Sequence, residues 1–309
     1  MLLKNYISII ITVLTLSAAP FSVNASACSN NKVKLQILGS GGPELNDQRA
    51  STSYLIWINN KARILVDAGS GSSFNFEKTG ANINDLKAIL LTHLHVDHSA
   101  DIPAYIKASF FTDRDKDLLI LGPAGNQRMP STQQFIHNLF GKKSAFRYLN
   151  DYLDPAQQNE YHIRVKNIAL SQKKIFQHTI STNLKVKATA VHHGPIAAIA
   201  WRVDVADCSI TFSGDMSNQY KTIAALAKNT NLFVAHNAIP ETATGVAAFL
   251  HMRPSAIGTI ANKATVKKLV LSHRMNRTIG KEKNTLSFIK KHYKGEIQFA
   301  NDLDIIVPQ

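Results

Sequence analysis

The stretch THLHVDHSAD (residues 92–101) places three histidines and two aspartates directly after the apolar run KAILL. His93 and His95 lie two positions apart at the end of a predicted strand, so both side chains would point to the same face. Asp97 and His98 follow in a predicted loop and can turn back toward them. Three imidazoles and one carboxylate suit a borderline metal such as zinc. Structural histidines would each need a separate partner, so the pattern predicts a metal site.

Strand and helix signals alternate on both sides of this stretch. The segments VKLQILG, STSYLIWI and ARILVDAG are typical of strands, with NN (residues 59–60) as a hairpin turn between the last two. KAILLTH contains the continuous apolar run AILL, as is usual for a strand covered on both faces. IPAYIKASFF then favours a helix. The whole pattern occurs twice and predicts one domain, residues 28–309, with two face-to-face sheets under outer helices.

The first 27 residues have the plan of a secretory signal peptide, with Lys4, an apolar stretch of about 14 residues and a final ASA. That stretch is short for a membrane span, which needs roughly 20 residues. An uncleaved anchor and a lipoprotein signal on Cys28 are the alternatives. We therefore expect a periplasmic or secreted protein with no stable membrane span after cleavage.

The chain contains two cysteines, Cys28 and Cys208. Neither belongs to a C-x-x-C pair, so the sequence does not indicate a thiolate zinc site. In an oxidising compartment the two residues could form one disulfide. Two unpaired thiols are the alternative, because the sequence does not give the distance between them.

The formal net charge is +14, and much of it lies late in the chain. Between Lys263 and Lys294 there are ten lysines or arginines and a single acid, Glu282. A basic surface attracts phosphate-bearing ligands or anionic membranes. It is equally compatible with an ordinary solvated surface, so the charge alone does not identify a partner.

The pattern H-x-H-x-D-H after a buried strand resembles the signature of the metallo-β-lactamase-fold hydrolases. Other motifs extend the resemblance to the ribonuclease Z-like, or phosphodiesterase-like, branch. In chain order these are LGSGGPELNDQRASTSYLI, ILVDAGSG, LILGPAG, HHGPIAAIAWR, FSGDM and LVLSH. The resemblance covers roughly residues 33–274 and implies a mixed α/β (α+β) fold, the four-layer αβ/βα sandwich of the metallo-β-lactamase type.

The resemblance also implies two divalent metal ions, zinc in the first place and manganese or iron as alternatives. The implied ligands are His93, His95 and His193 for one metal, Asp97, His98 and His273 for the other, and Asp215 as a bridge. Two cations lower the pKa of a water between them enough to give hydroxide near neutral pH. Asp97 would orient this bridging hydroxide and accept its proton.

Four further side chains receive candidate roles. His251 resembles the family's proton donor to the leaving oxygen, with a surface histidine as the alternative. Arg202 and Arg274 could each contact an anionic substrate, or could be solvated surface arginines. Asp67 would hold the second nitrogen of a ligand imidazole, or would simply form a turn.

The other histidines lie outside these roles. His192 would point to the opposite face from its neighbour His193, where it would either pack in the interior or contact a metal-ligating side chain. Five more are expected to be structural or on the surface: His137, His162, His178, His236 and His292.

The sequence thus predicts an exported dinuclear-metal hydrolase that cleaves a phosphodiester in a small molecule, nucleotide or nucleic acid. Hydrolysis of an ester, lactone, sulfate or β-lactam at the same metals is one alternative. A non-enzymatic periplasmic protein that binds metal or nucleic acid is another. The basic, glycine-rich arm with which ribonuclease Z clamps tRNA is not evident, and residues 131–153 favour compact helix instead. The resemblance also implies a homodimer.

Overall fold

The computed structural model describes Cys28 and residues 32–157 and 161–309, so the predicted signal peptide lies outside the described residues. The strands of the described residues form two seven-stranded sheets. In spatial order, the first sheet consists of β14 (Ile305–Ile306), β1 (Val33–Gly39), β2 (Ser53–Ile58), β3 (Lys61–Val66), β4 (Ala88–Leu90), β5 (Leu118–Pro123) and β6 (Ile163–Ile168). The second consists of β13 (Glu296–Phe299), β12 (Lys268–Ser272), β11 (Leu232–His236), β10 (Cys208–Phe212), β9 (Ile196–Val205), β8 (Leu184–His193) and β7 (Phe176–Ser181).

Each sheet begins with antiparallel hairpins and continues with parallel strands. In the first sheet, β1, β2 and β3 pair antiparallel, and β3 to β6 pair parallel. In the second, β7 to β10 pair antiparallel and β10 to β13 pair parallel. This confirms that the pattern read from the sequence occurs twice. The predicted hairpin turn is also confirmed, since Asn59 and Asn60 both have the positive φ that a tight two-residue turn favours.

Eight α-helices of the described residues connect the strands. They are α1 (Ser72–Lys78), α2 (Val96–Ser99), α3 (Ile102–Ser109), α4 (Thr132–Phe140), α5 (Ile223–Leu226), α6 (Gly245–Leu250), α7 (Pro254–Lys263) and α8 (Glu282–Ile289). Short 3₁₀ helices occupy Ile83–Asp85 and Arg147–Tyr152. Pro254 stands in the first turn of α7, where its missing N–H costs no hydrogen bond.

Three buried apolar clusters define the layers of the molecule. The central cluster joins alternate residues of both sheets, such as Ile56 and Val203, so the sheets pack face to face. A second cluster packs the first sheet against α3 and α4, through residues such as Ile106 and Ile136. A third packs the second sheet against α5 and α7. The predicted arrangement of two sheets between outer helices is therefore confirmed.

The structure departs from the sequence-based prediction near the central motif. The strand β4 ends at Leu90, so His93 and His95 lie in the loop beyond it and not on the strand. Asp97 and His98 lie in the short helix α2 and not in a loop. The hydrogen bond from Thr92 N to Asp67 Oδ1 takes the chain out of the sheet at this point. Strands β6 and β7 were not predicted, because they alternate exposed and half-buried residues without a clear apolar pattern.

Cys28 and Cys208 form a disulfide that links the start of the described chain to β10. Of the two alternatives left open by the sequence, the structure therefore contains the bridge. Among the residues that the structure describes, no helix is long and apolar enough to cross a membrane.

Candidate metal centre

The candidate site lies at one edge of the sandwich, where strands of both sheets end. Asp67 follows β3, the histidine motif follows β4, and His193 ends β8. Asp215 follows β10, and His273 directly follows β12. The carboxyl ends of parallel strands meet at one edge of a sheet, which is where α/β folds usually bind ligands. The two sheets therefore bring together residues that are far apart in sequence.

The left-handed backbone region is used at three of these strand ends. Asp67 has φ 56°, Gly214 has φ 59° and His273 has φ 52°. Such values are uncommon for residues other than glycine, and they reverse the chain within one residue. Two of the three positions, Asp67 and His273, carry site side chains themselves, and Gly214 directly precedes Asp215.

Two groups of side chains share this edge. His93, His95 and His193 form the first group, with ring nitrogens within 4.8 Å of one another. In the second group, His98, His236 and His273 lie beside Asp215, again within 4.8 Å. Apart from His95 these residues are buried.

The two carboxylates of the site lie between the imidazoles. Asp215 Oδ2 is 3.7 Å from His193 Nε2 and 3.8 Å from His98 Nε2, so it faces both groups. Asp97 Oδ2 is 3.4 Å from His98 Nε2 and 3.3 Å from His273 Nε2. The seven side chains expected from the resemblance are thus brought together, with Asp215 in the central position.

The ring nitrogens that face inward have no hydrogen-bond partner. This holds for Nε2 of His93, His98 and His193, and for both ring nitrogens of His273. A buried polar atom without a partner costs about 1–3 kcal/mol. Divalent cations satisfy such nitrogens, and an N/O ligand set of this kind suits zinc and its neighbours. The residues present therefore fit metal ions.

Two of the candidate ligand rings are oriented by acceptors on their outer nitrogen. Asp67 Oδ2 lies 2.8 Å from His98 Nδ1, and the Leu250 carbonyl lies 2.9 Å from His193 Nδ1. Asp67 is itself held by Thr92, whose N–H and hydroxyl donate to it at 2.7 and 2.8 Å. An acceptor on the outer nitrogen fixes the proton there and leaves the inner nitrogen free to bind a cation.

The imidazoles of the candidate site include some with a lowered pKa and some with a raised pKa. Burial, together with the charges of His98 and His193, holds the pKa of His93 well below its usual range. Burial acts to lower the pKa of His273 as well. The carboxylates of Asp215 and Asp97 outweigh this effect and raise the pKa to about 9. Burial raises the pKa of Asp215, yet the charges of His273 and His251 bring it well below its usual range. The carboxylates are therefore ionised, as metal ligands need to be.

His251 lies at the rim of the two groups, directly after α6. Its Nδ1 is 3.7 Å from Asp215 Oδ2, and its ring centroid is 5.3 Å from that of His193. Burial is the main cause that lowers the pKa of His251 to about 3. The charges of His273, His193 and Arg277 lower the pKa further, and the charge of Asp215 acts to raise it. The ring is therefore neutral in this state and close enough to the centre to meet a bound substrate.

The structure does not bring Arg202 or Arg274 to the site. Arg202 lies opposite Lys187 on β8, roughly 20 Å along the strand from His193 at about 3.3 Å per residue. Its guanidinium binds Asp204 and two backbone carbonyls. Arg274 is buried and pairs with Glu282, although it follows a candidate ligand in sequence.

Two residues near the site were missed by the sequence analysis. His236 was expected to be structural or on the surface, yet its Nδ1 lies 2.7 Å from Asp215 Oδ1. Arg277 is half-buried, its Nε donates to the Ala238 carbonyl at 2.6 Å, and its charge acts on Asp215 and His251. The position of His236 at the carboxyl end of the buried strand NLFVAHN was the signal that could have revealed it.

Comparison with known proteins identifies the class. The family model described as the metallo-beta-lactamase superfamily matches residues 46–260, and the chain belongs to this superfamily. It is a metal-dependent hydrolase with an α/β fold of the metallo-β-lactamase type. The resemblance to the ribonuclease Z-like branch is confirmed by the relatives that follow.

A ribonuclease Z of Mycobacterium sp. (strain KMS) is 28% identical over 286 residues, covering 88% of this chain and 94% of that protein. A ribonuclease Z of Limosilactobacillus reuteri is 25% identical, covering 89% of this chain and 98% of that protein. Among solved structures, the short form of human tRNase Z has a TM-score of 0.68 at 19% identity, covering 89% and 100% of the two chains. The Bacillus subtilis protein YhfI has a TM-score of 0.67 at 22% identity, covering 88% and 98%. At these identities, the structures show the shared fold.

Proposed function

We propose that this protein is an exported phosphodiesterase with two divalent metal ions, zinc being the best fit. The observation that carries the proposal is the arrangement of inward-facing, unpartnered ring nitrogens in two groups on either side of Asp215. His93, His95 and His193 would hold one ion. The other would be held by Asp97, His98 and His273, with Asp215 between the two.

The cations would supply Lewis acidity toward phosphoryl oxygens and would acidify a water molecule, which is what metal ions contribute to hydrolysis in general. The protein side chains have separate tasks. Asp97, ionised and at the edge of the second group, can orient the attacking water and accept its proton. His251 can donate a proton to the leaving oxygen.

The proton-donor role of His251 depends on the substrate being an anion. With its pKa lowered to about 3, the ring is almost entirely in its neutral form at neutral pH and lacks the proton that it would donate. Asp215 already acts to raise this pKa, and an anionic phosphate beside the ring would act in the same direction. A neutral ester or lactone would lack this effect, so the geometry favours a phosphodiester.

Arg277 also supports an anionic substrate. Its guanidinium is fixed by the Ala238 carbonyl, between the ends of β11 and β12, and forms no ion pair with any of the described residues. Arginine binds phosphate oxygens through two parallel N–H groups. The relatives named ribonuclease Z favour a nucleotide or nucleic-acid diester, and the basic residues between Lys263 and Lys294 are compatible with one.

Export is supported by two features. The residues before Cys28 have the plan of a signal peptide, and Cys28 pairs with Cys208 in a disulfide. Disulfides persist in oxidising compartments such as the periplasm and are rare in the cytosol. Both features favour a periplasmic or secreted location, where the substrate would differ from that of a cytosolic enzyme.

The test uses the purified mature chain. The number of metal ions per chain and the mass in solution are measured first. A mass equal to that of two chains would support the homodimer. The chain is then assayed with a phosphodiester, a sulfate ester, a lactone and a β-lactam. We expect about two metals per chain and turnover of the phosphodiester. Turnover of the lactone or β-lactam alone would contradict the proposal.

The variant His251→Gln tests the proton donor. General acid catalysis contributes typically 10²–10⁴-fold, so kcat should fall by at least tenfold for a diester with an alkoxide leaving group. A diester with a nitrophenolate leaving group needs no proton and should be much less affected. His137→Gln, on the exposed face of α4, serves as the control. An equal loss for both leaving groups would remove His251 from the proton-transfer step.

A further inference from the structure

Asp215 has a further buried partner, His236, whose ring packs beside His98 and His273 with centroids 5.8 and 4.9 Å apart. His236 Nδ1 lies 2.7 Å from Asp215 Oδ1, and His236 Nε2 lies 3.0 Å from the Tyr54 hydroxyl. All three side chains are buried, with Tyr54 fully inaccessible to solvent. Tyr54 belongs to β2 in the first sheet and His236 to β11 in the second. The chain of contacts therefore crosses the interior between the sheets and ends on the central carboxylate.

The direction of these hydrogen bonds follows from the groups involved. An ionised carboxylate only accepts hydrogen bonds, so Nδ1 of His236 must carry the proton. In a neutral ring, Nε2 then has a lone pair, and the Tyr54 hydroxyl donates to it. Tyr54 donates to His236, which donates to Asp215. Hydrogen bonds arranged in one direction polarise one another. The hydrogen bond from Tyr54 to His236 therefore strengthens the hydrogen bond that His236 donates to Asp215.

His236 differs from the candidate ligands in one respect. Its ring nitrogens both have partners, whereas the inward nitrogens of His93, His98 and His193 have none. His236 can therefore not hold a cation without losing Asp215 or Tyr54. Its backbone is also fixed, since its N–H donates to Ser213 Oγ at 3.1 Å. Tyr54 packs against Phe212, with ring centroids 5.3 Å apart.

The consequence for Asp215 is orientational. Oδ1 is bound to His236 and also lies 3.3 Å from His273 Nε2, and Oδ2 points toward His193, His98 and His251 at 3.7 to 3.8 Å. We propose that Tyr54 and His236 form a positioning pair that fixes the Asp215 carboxylate for cation binding. This inference rests on the proposed function in one respect, namely that Asp215 is a metal ligand.

The variant Tyr54→Phe removes one hydroxyl and keeps the ring that packs on Phe212. Groups that support metal ligands typically change metal affinity by 10–100-fold, so we expect the cation dissociation constant of Tyr54→Phe to rise by about tenfold. It is measured with zinc alone, in competition with a chromogenic chelator, on the full mature chain. Tyr105→Phe is the matched control, because it removes a buried hydroxyl that contacts Ser72 in the helix layer.

A merely structural role is distinguished by a second readout. The melting temperature is measured with and without zinc for each variant. If the pair positions Asp215, the increase in melting temperature on adding zinc should shrink for Tyr54→Phe and stay unchanged for Tyr105→Phe. An unchanged zinc-induced increase for Tyr54→Phe would overturn the proposal, even if the zinc-free protein melted at a lower temperature.

Two substitutions of His236 complete the test. His236→Asn places an amide N–H near the position of Nδ1, so it should retain much of the zinc affinity. His236→Leu offers no donor and should lose more than Tyr54→Phe does. Equal zinc affinity in both would refute the positioning role. If the wild-type chain bound no zinc, the proposed function would fail; if it bound zinc and the variants matched it, the positioning pair alone would fail.

Discussion

The carboxylate of Asp67 shows how one buried side chain organises its surroundings. It accepts two hydrogen bonds from Thr92 and lies 2.8 Å from His98 Nδ1. These contacts hold both the backbone after β4 and the ring of His98. A residue that the sequence could also explain as a simple turn thus connects the strand end to a candidate ligand.

At the same scale, Arg277 is expected to determine affinity for anionic substrates. A hydrogen bond to a charged group contributes about 1.5–3 kcal/mol, so Arg277→Gln should raise KM for a phosphodiester by roughly tenfold or more. The value of kcat should change little, because the guanidinium would bind substrate and transition state alike. Steady-state kinetics on a diester and on a neutral ester measure the effect.

The control for this prediction is Arg202→Gln. Arg202 is ion-paired with Asp204 and lies far from the site. The KM of the Arg202→Gln variant should therefore equal that of the wild type. If the two substitutions raised KM equally, a general loss of surface charge would explain the result, and Arg277 would have no specific role.

The candidate ligands could be picked out of the sequence because the central motif concentrates four of them in residues 93–98. All seven are histidines or aspartates, and the resemblance supplied their grouping. Arg274 and Arg277 could not be told apart from sequence. Arg274 follows His273 directly, but Glu282 takes its charge, whereas Arg277 keeps its charge near Asp215. Such choices depend on side-chain directions that only the folded chain defines.

At the scale of elements, the turn after β10 is tightly constrained. Gly214 has φ 59°, and a Cβ there would lie 2.9 Å from Thr92 Cβ and 3.2 Å from the Ile199 carbonyl. The turn delivers Asp215 to the site. Any larger residue would push against Thr92, which in turn holds Asp67.

The variant Gly214→Ala should therefore lose stability and metal affinity together. Left-handed strain and the close contact cost on the order of 1–3 kcal/mol. Chemical denaturation of the zinc-free chain and zinc titration provide the two measurements. Gly80→Ala is the control, since Gly80 has φ 69° with no atom within 4 Å of its added Cβ. It should lose some stability by strain alone and bind zinc normally; reduced zinc binding in the control would argue against the contact with Thr92.

Elements were predicted well where burial is one-sided or complete, and poorly elsewhere. Strand β1 was predicted with its observed bounds, because VKLQILG alternates polar and apolar residues as strands do. The helix expected around YKTIAALAKN contains only Ile223–Leu226, since the chain soon turns into β11. Short or half-exposed elements depend on neighbours that are distant in sequence, and a local pattern does not report them.

At the scale of the whole molecule, the disulfide links the start of the described chain to the second sheet across a separation of 180 residues. A bridge that closes a long loop typically stabilises a protein by about 2–4 kcal/mol. A reducing agent should thus lower the denaturation midpoint of the wild-type chain. Metals per chain should stay the same, because Cys208 begins β10 and the candidate site lies beyond the other end of that strand.

The double variant Cys28→Ser, Cys208→Ser provides the control. Its denaturation midpoint should match that of the reduced wild type and should not respond to the reducing agent. If reduction left the wild-type midpoint unchanged, the bridge would be unimportant for stability, and its support for an oxidising compartment would weaken.

The division of the site between the two sheets has a consequence for biosynthesis. Four candidate ligands have been synthesised once the ribosome has passed residue 98. The other three, His193, Asp215 and His273, come from the second half of the chain. A nascent or truncated chain that lacks β12 carries most of the histidines and still has no closed centre. On the proposed ligand set, activity is expected only after His273 has folded into place, and an incomplete chain is expected to be inert toward its substrate.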